Sequence, residues 1–240
     1  MSAVLFSVQD GVGTLTLNRP ESRNALNLEM CEGIAGSAIR AAQDISIKLF
    51  IVKASGTTFC AGADLKERRG MSAEQVRERR LKGFAAYAAL EALPMPAIAV
   101  VEGPAVGSGC EIAAACDFIV ATPAASFRTP EATRGTVGAT QRLPRILGKR
   151  LAKDLMFTGR TLSAEEAKQL GLVSRLLEPA ELEVELQNMR RTVLDAPQQS
   201  LRLAKRCIDR GVERDPEGAL EEEIAAIEEQ LASGQWMGKK

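Results

Sequence analysis

The sequence predicts an α/β fold, a mostly parallel sheet system followed by a helical tail, and three observations carry that prediction. Short runs such as Leu49–Ala54 and Ala97–Val101 are almost wholly apolar, as strands covered on both faces are. These runs alternate with segments of helical spacing, the order expected of strand–helix–strand units. Beyond residue 178 the strand signals stop and the pattern is helical to the end. Residues 1–178 therefore read as the core and 179–240 as a helical C-terminal region.

The elements follow in order. Val4, Phe6 and Val8 alternate, Asp10-Gly11 turns, and Val12–Leu17 returns as the second arm of a hairpin. Asn27 is placed to cap a helix carrying Leu28, Cys31, Ile34, Ala35, Ala38 and Ile39 on one face. Leu49–Ala54 is a strand that runs into the turn-rich stretch 56–67. Ser72 and Gln75 form a capping-box pattern that opens a helix to residue 90. Pro94 and Pro96 separate it from the strand Ala97–Val101. A further strand is expected at Phe118–Ala121, one helix over 143–157, a capped helix from Ser163 to Gly171, and a last short strand over 173–177. Three helices then fill 180–194, 198–210 and 217–231, broken at Pro197 and Gly211.

Composition narrows the chemistry. The chain has 240 residues, 45% hydrophobic and 26% charged, with 31 basic and 31 acidic residues. That balance suits a globular domain and argues against a general nucleic-acid or polybasic membrane surface. No run has the apolar length of a membrane-spanning helix, and residues 1–10 lack the form of a signal peptide. Five cysteines without a CxxC pair read as reduced, mostly buried thiols. These features lead us to expect a cytoplasmic protein. There is no histidine, so no His triad, imidazole metal ligand or His base is available.

The central stretch is Gly103-Pro104-Ala105-Val106-Gly107-Ser108-Gly109-Cys110-Glu111. An apolar strand leads into a Gly-rich turn, and a small-residue helix starts near Ser108. The first N–H groups of such a helix have no partner within it, and its dipole favours negative charge there. The turn at 59–66 can offer a second N–H, that of Ala63. Two N–H groups from separate segments make an oxyanion hole, which polarises a carbonyl and stabilises an enolate. Glu111 lies among Ile112, Ala113, Ala114 and Ala115, so it is expected to be buried, and burial raises a carboxyl pKa toward acid–base use. The plainer alternatives are a carboxylate paired with an arginine and, for Glu131 in its Pro130-Glu131 loop, simple solvation, which composition favours for Glu131 alone.

The ordered set of motifs resembles the enoyl-CoA hydratase/isomerase (crotonase) superfamily over residues 3–235. It comprises Asn18-Arg19-Pro20 with Asn24-Ala25-Leu26, the stretch 59–67, Gly103 to Glu111, Ala115-Cys116-Asp117, Pro130-Glu131, Thr140-Gln141-Arg142-Leu143 and Thr158-Gly159-Arg160. The resemblance implies a spiral of ββα units whose helical C-terminal region builds trimers or dimers of trimers. It implies that Ala63 and Ser108 hold the thioester oxygen, that Glu111 activates water and that Glu131 handles the α-proton. CoA is expected near Ser22, Arg23, Ala25, Ala61, Ala63, Asp64, Leu65 and Lys66. CoA is then part of the substrate, with no metal and no separate cofactor.

A hydratase needs both carboxylates, whereas a double-bond isomerase typically keeps only the second. Both are present, which favours hydration of an enoyl-CoA. An isomerase or other enolate-forming activity is the alternative, and an inactive CoA- or RNA-binding member is a third reading. Two departures from the family pattern stand out. The loop 135–140 is shorter than usual, and the chain stops at Trp236-Met237-Gly238-Lys239-Lys240, short of the usual last helical segment.

Overall fold

The computed structural model describes residues 2–234, so Trp236 to Lys240 lie outside the described residues. β1 (Val4–Gln9) and β2 (Val12–Leu17) pair antiparallel, with Val4 opposite Leu17 and Gln9 opposite Val12. Their turn uses two successive left-handed residues, Asp10 (φ 49°) and Gly11 (φ 78°), the arrangement that matches strand twist in tight hairpins. α1 (Leu28–Gln43) begins where the Asn27 side chain accepts the Met30 N–H. β3 (Leu49–Ala54) follows, then α2 (Ala73–Glu91), opened by the Ser72/Gln75 capping box. β4 (Ala97–Val101), β5 (Pro104–Val106) and α3 (Ser108–Ala114) form the centre. β6 (Phe118–Ala121), β7 (Ser126–Arg128), α4 (Arg142–Leu147), α5 (Lys149–Thr158), β8 (Thr161–Ser163), α6 (Ala164–Gln169) and β9 (Arg175–Leu176) complete the core. α7 (Pro179–Asp195), α8 (Gln198–Gly211) and α9 (Pro216–Ser233) end the described chain.

The main sheet has the order β1-β2-β3-β4-β6-β9 and is parallel beyond the first hairpin. A second sheet has the order β5-β7-β8. Successive strands therefore change sheets: β4 lies in the large one and β5 in the small one, and β6 and β7 repeat the step. The small sheet escapes a reading by periodicity, because three residues are too few to show alternation and Pro104 falls inside a glycine-rich motif.

The all-apolar strands are explained by two cores. Phe50 and Val52 of β3, with Ala97, Ala99 and Val101 of β4, join the cluster containing Met30, Ile34 and Leu90 of α1 and α2. Leu49, Ile51, Ile98 and Val100 face the other way, onto Leu182, Leu186 and Met189 of α7. α7 thus closes the back of the sheet.

Two sequence expectations change. The helix over 143–157 is two helices, because Gly148 takes φ 77° and ψ 157° between α4 and α5. A glycine inside a helical pattern only lowers propensity, so the break has no periodic signal. The strand over 173–177 shrinks to Arg175–Leu176, since the N–H groups of Leu172 and Val173 both turn back to the Ala167 carbonyl.

Candidate active site

The turn after β3 is sewn to the central motif by backbone bonds. Cys60 N–H donates to Pro104 O at 3.2 Å, and Val106 N–H donates to Cys60 O at 2.8 Å. On its other side Leu26 N–H donates to Gly62 O at 2.8 Å, and Asp64 N–H donates to Leu26 O at 2.9 Å. Bonds at positions 62 and 64 toward Leu26 leave the Ala63 N–H facing the opposite way, as alternation along an extended strand requires. Among the described residues neither this N–H nor that of Ser108, the first residue of α3, has a backbone acceptor. Ala63 and Ser108 both line a cavity of about 80 Å³, together with Glu111 and Glu131. The four residues singled out for chemistry thus meet in one place.

Glycine makes this approach possible at two positions. A Cβ on Gly109 would meet the Cys60 carbonyl oxygen at 2.5 Å, so the two N–H segments come together only across a bare Cα. Gly107 takes φ 52°, and a Cβ there would run into the Glu131 carboxylate.

Glu111 is 5% exposed. Its Oε2 accepts from Arg142 Nη1 at 3.0 Å, while its Oε1 is buried without a partner among the described residues. Burial pushes its carboxyl above the ordinary carboxylate range, and the Arg142 charge and hydrogen bond oppose that push. The sequence alternatives of burial and pairing with an arginine are both realised here. Glu131, expected from composition to be solvated, instead sits against Gly107 and Gly138, with a buried Oε2 that has no partner among the described residues. Burial raises its carboxyl as well, against a hydrogen bond from its own N–H; the nearby Glu111 charge raises it further, and Arg80 and Arg134 oppose. An unpartnered buried carboxylate oxygen in each of two facing groups is costly for folding alone and suits groups that must exchange protons.

A second cavity of about 400 Å³ adjoins the first and is lined by Ala61, Gly62, Ala63, Leu65, Val106, Pro130 and Glu131 among others. It collects Ala61, Ala63 and Leu65 of the expected CoA set. Ser22, Arg23, Ala25, Asp64 and Lys66 do not line it. Arg23 lies next to it, its carbonyl accepting the Ala61 N–H at 3.0 Å, and the Ser22 carbonyl accepts the Ala25 N–H at 3.1 Å. The Asp64 side chain is occupied in shaping the turn: it accepts from Arg19 Nη1 at 3.0 Å and from the N–H groups of Lys66 at 2.9 Å and Glu67 at 3.2 Å.

Burial works against the Asp64 charge, but the Arg19 and backbone bonds overcome it and hold the carboxyl below its usual range. A folded-state pKa below the unfolded one adds stability at neutral pH, and that stability is lost as pH falls through the folded value. Asp64→Asn should therefore lower stability at pH 7 by about 1.5–3 kcal/mol, the worth of hydrogen bonds to a charged group. Urea unfolding at pH 7 and pH 3 checks this, and the gap between the two proteins should shrink at the lower pH.

Arg68, Arg80, Gly83, Phe84 and Tyr87 also line the smaller cavity, and the sequence reading gave none of them a role. Arg68 precedes α2; the signal of the others is a weak one, since α2 carries arginines and a glycine on a face that should be apolar if it only packed. Among the described residues, no three His, Cys, Asp or Glu side chains gather as metal ligands would. The arrangement offers two N–H donors for one carbonyl oxygen and two carboxyls for proton transfer.

The chain is similar to known proteins over most of its length. A family model described as enoyl-CoA hydratase/isomerase matches residues 7–236. The chain is 34% identical over 228 residues to the crotonyl-CoA hydratase of Syntrophomonas wolfei, covering 93% of this chain and 88% of that one. It is 34% identical over 233 residues to the short-chain-enoyl-CoA hydratase of Clostridium acetobutylicum, covering 95% and 89% respectively. The crystal structure of an enoyl-CoA hydratase from Bacillus anthracis superposes with a TM-score of 0.91 at 35% identity, covering 94% of this chain and 90% of that one. Sequence, strand-by-strand architecture and the meeting of the two glutamates with the two free N–H groups lead to one assignment: the chain belongs to the enoyl-CoA hydratase/isomerase family and has the crotonase fold.

Proposed function

We propose that this protein is an enoyl-CoA hydratase, a hydro-lyase adding water across the 2,3 double bond of an enoyl-CoA thioester. The observation that carries the reading is the single cavity lined by Ala63, Ser108, Glu111 and Glu131. The thioester oxygen accepts from the Ala63 and Ser108 N–H groups, which draws electron density from C3. Water bound between the carboxyls adds its oxygen to C3 and gives its proton to Glu111. The C2=C3 electron pair moves to form an enolate, held by the same two N–H groups. Glu131 then delivers a proton to C2, and the proton taken up by Glu111 passes back to Glu131 through solvent, which restores both carboxyls for the next turnover. Each positioned acid or base is typically worth about 10²–10⁴ in rate, and one oxyanion-hole donor about 10²–10³. In this reading the CoA adenine lies against Ala61, Ala63 and Leu65, which line the larger cavity, and the CoA phosphates lie toward Arg23 and Ser22. No metal or added cofactor has a step in it.

The test is the loss of conjugated enoyl-thioester absorbance when the protein meets crotonyl-CoA. Rapid loss supports hydration. An isomerase reading draws on the short loop 135–140, whose Val137 carbonyl is held by Arg80 Nη2. Exchange of α- or γ-hydrogens with solvent deuterium, without loss of the enoyl chromophore, would replace the first reading with the second.

The same proposal includes assembly as a trimer or a pair of trimers. Its support is the apolar surface left on the C-terminal helices, where Ile208 is 65% and Val212 76% exposed, with Leu220, Ile224 and Ile227 beside them. Ile208→Lys combined with Leu220→Lys should reduce the mass found by light scattering to that of a smaller species. A cytoplasmic setting and a place in fatty-acid β-oxidation complete the proposal. The first is supported by four buried, unpaired cysteines, Cys31, Cys60, Cys110 and Cys116. No helix of the described residues is long and apolar enough to cross a membrane.

A further inference from the structure

Two glutamates in one small cavity must carry different protonation states if one accepts a proton and the other gives one. Their surroundings differ in the guanidinium bonds they accept. Glu111 accepts a guanidinium bond, from Arg142, and among the described residues Glu131 accepts none from an arginine. Arg142 is itself held from a third element. Its Nη2 donates to Glu91 Oε2 at 2.7 Å, and its guanidinium carbon lies 5.7 Å from the centroid of the Tyr87 ring. Tyr87 and Glu91 are one turn apart on α2, so they present neighbouring groups on one face. Arg142 opens α4, and Glu111 lies in α3. One guanidinium therefore joins three helices, with each terminal nitrogen assigned to a different carboxylate, a use that its rigid planar fork suits and a lysine does not.

We propose that Arg142 is a positioning residue that keeps Glu111 ionised, and that Glu91, at the solvent edge of α2, is the residue that seats Arg142 there. The seated guanidinium thereby serves the roles already given to the pair, Glu111 as base and Glu131 as acid. The assignment takes its chemistry from the hydratase reading, but its main test does not depend on turnover.

The charged surroundings are these. Glu131 lines the same cavity as Glu111, from the segment after β7, and Arg68, Arg79 and Arg80 line it too, with Arg79 paired to Glu67. Arg145, Asp209 and Glu213 line the outer cleft beside Arg142 and Glu91. Arg145 is paired with Glu213 at 2.9 Å, so Arg142 is the guanidinium bonded to Glu111. Glu91 is 57% exposed in its side chain, so replacing it leaves the core untouched.

The sign of the effect separates positioning from plain charge. Glu91 is an anion near Glu111, and as a charge alone it raises the Glu111 carboxyl. Removing it would then lower the Glu111 pKa. If Glu91 instead seats Arg142, removing it frees the guanidinium and the Glu111 pKa rises. The experiment is a carbon-13 titration of the glutamate carboxyls in the full chain, with Glu111→Gln to assign the signal. It compares wild type, Glu91→Ala, Glu91→Gln and Arg142→Lys. Glu91→Gln removes the charge but keeps an oxygen for Arg142. The expected result is a rise of about one pH unit at Glu111 in Glu91→Ala and Arg142→Lys, with little or no rise in Glu91→Gln. The acid limb of kcat/KM should move up with it, a loss of about ten-fold below the limb and none above. A fall, or no change, at Glu111 in Glu91→Ala overturns the proposal. If the wild type hydrates no enoyl thioester, the hydratase reading fails while the titration still decides the role of Glu91.

Discussion

Gly109→Ala should cost this protein at least a hundred-fold in kcat/KM on an enoyl-CoA. By helix propensity alone the change is favourable by about 1 kcal/mol, since Gly109 sits in the first turn of α3. Packing opposes it. The new methyl would lie 2.5 Å from the Cys60 carbonyl oxygen, which is backbone, accepts from the Val106 N–H, and belongs to a residue whose own N–H donates to Pro104 O. Overpacking of this kind costs about 1–3 kcal/mol and outweighs propensity. Relief comes by parting the 60–63 turn from α3, and those are the two segments that bring the Ala63 and Ser108 N–H groups together. Losing one oxyanion donor costs about 10²–10³ in rate. Steady-state kinetics with a thermal melt checks both consequences. A fully active Gly109→Ala protein would show that the N–H groups do not act as a pair.

Glu111→Gln and Glu131→Gln should each lower kcat by about 10²–10⁴. The double variant should fall little further, because groups that act as a unit lose their value together. Both carboxyls are raised by burial, and Arg142 opposes the rise only at Glu111 through a direct bond. The wild-type pH profile of kcat/KM should therefore be a bell whose acid limb follows Glu111 and whose basic limb follows Glu131, the two values belonging to the coupled pair. As pH falls through the lower value the base is protonated and activity is lost. As pH rises through the upper value the acid is ionised and activity is lost again.

How much of this was legible in the sequence depended on chain length and on what each residue faces. The hairpin, α1, α2, β3, β4 and the C-terminal helices were readable because each is long enough to show its period or carries its own cap, as Asn27 and Ser72 do. The small sheet was not, since its strands have three residues each. Glu111 announced itself as a charge in an apolar helix. Glu131 did not, because its burial comes from Gly107 and Gly138, and a loop residue's long-range neighbours leave no local pattern. Arg142 was visible as part of a motif but its partner Glu91 was not. Their contact spans 51 positions, and an exposed glutamate at the end of a helix resembles any other. The position of the CoA set was only partly legible: Ala61, Ala63 and Leu65 line the larger cavity, while the Asp64 side chain faces Arg19.

Hydration at this site is decided by the time course of enoyl-thioester absorbance for crotonyl-CoA mixed with wild type, Glu111→Gln and Glu131→Gln, each shown folded by its melt. The wild type should consume the chromophore, and each variant should do so at least a hundred-fold more slowly. A variant as fast as wild type would remove its carboxylate from the mechanism. A wild type that leaves both crotonyl-CoA and bulkier enoyl-CoAs unchanged would contradict hydration at this site.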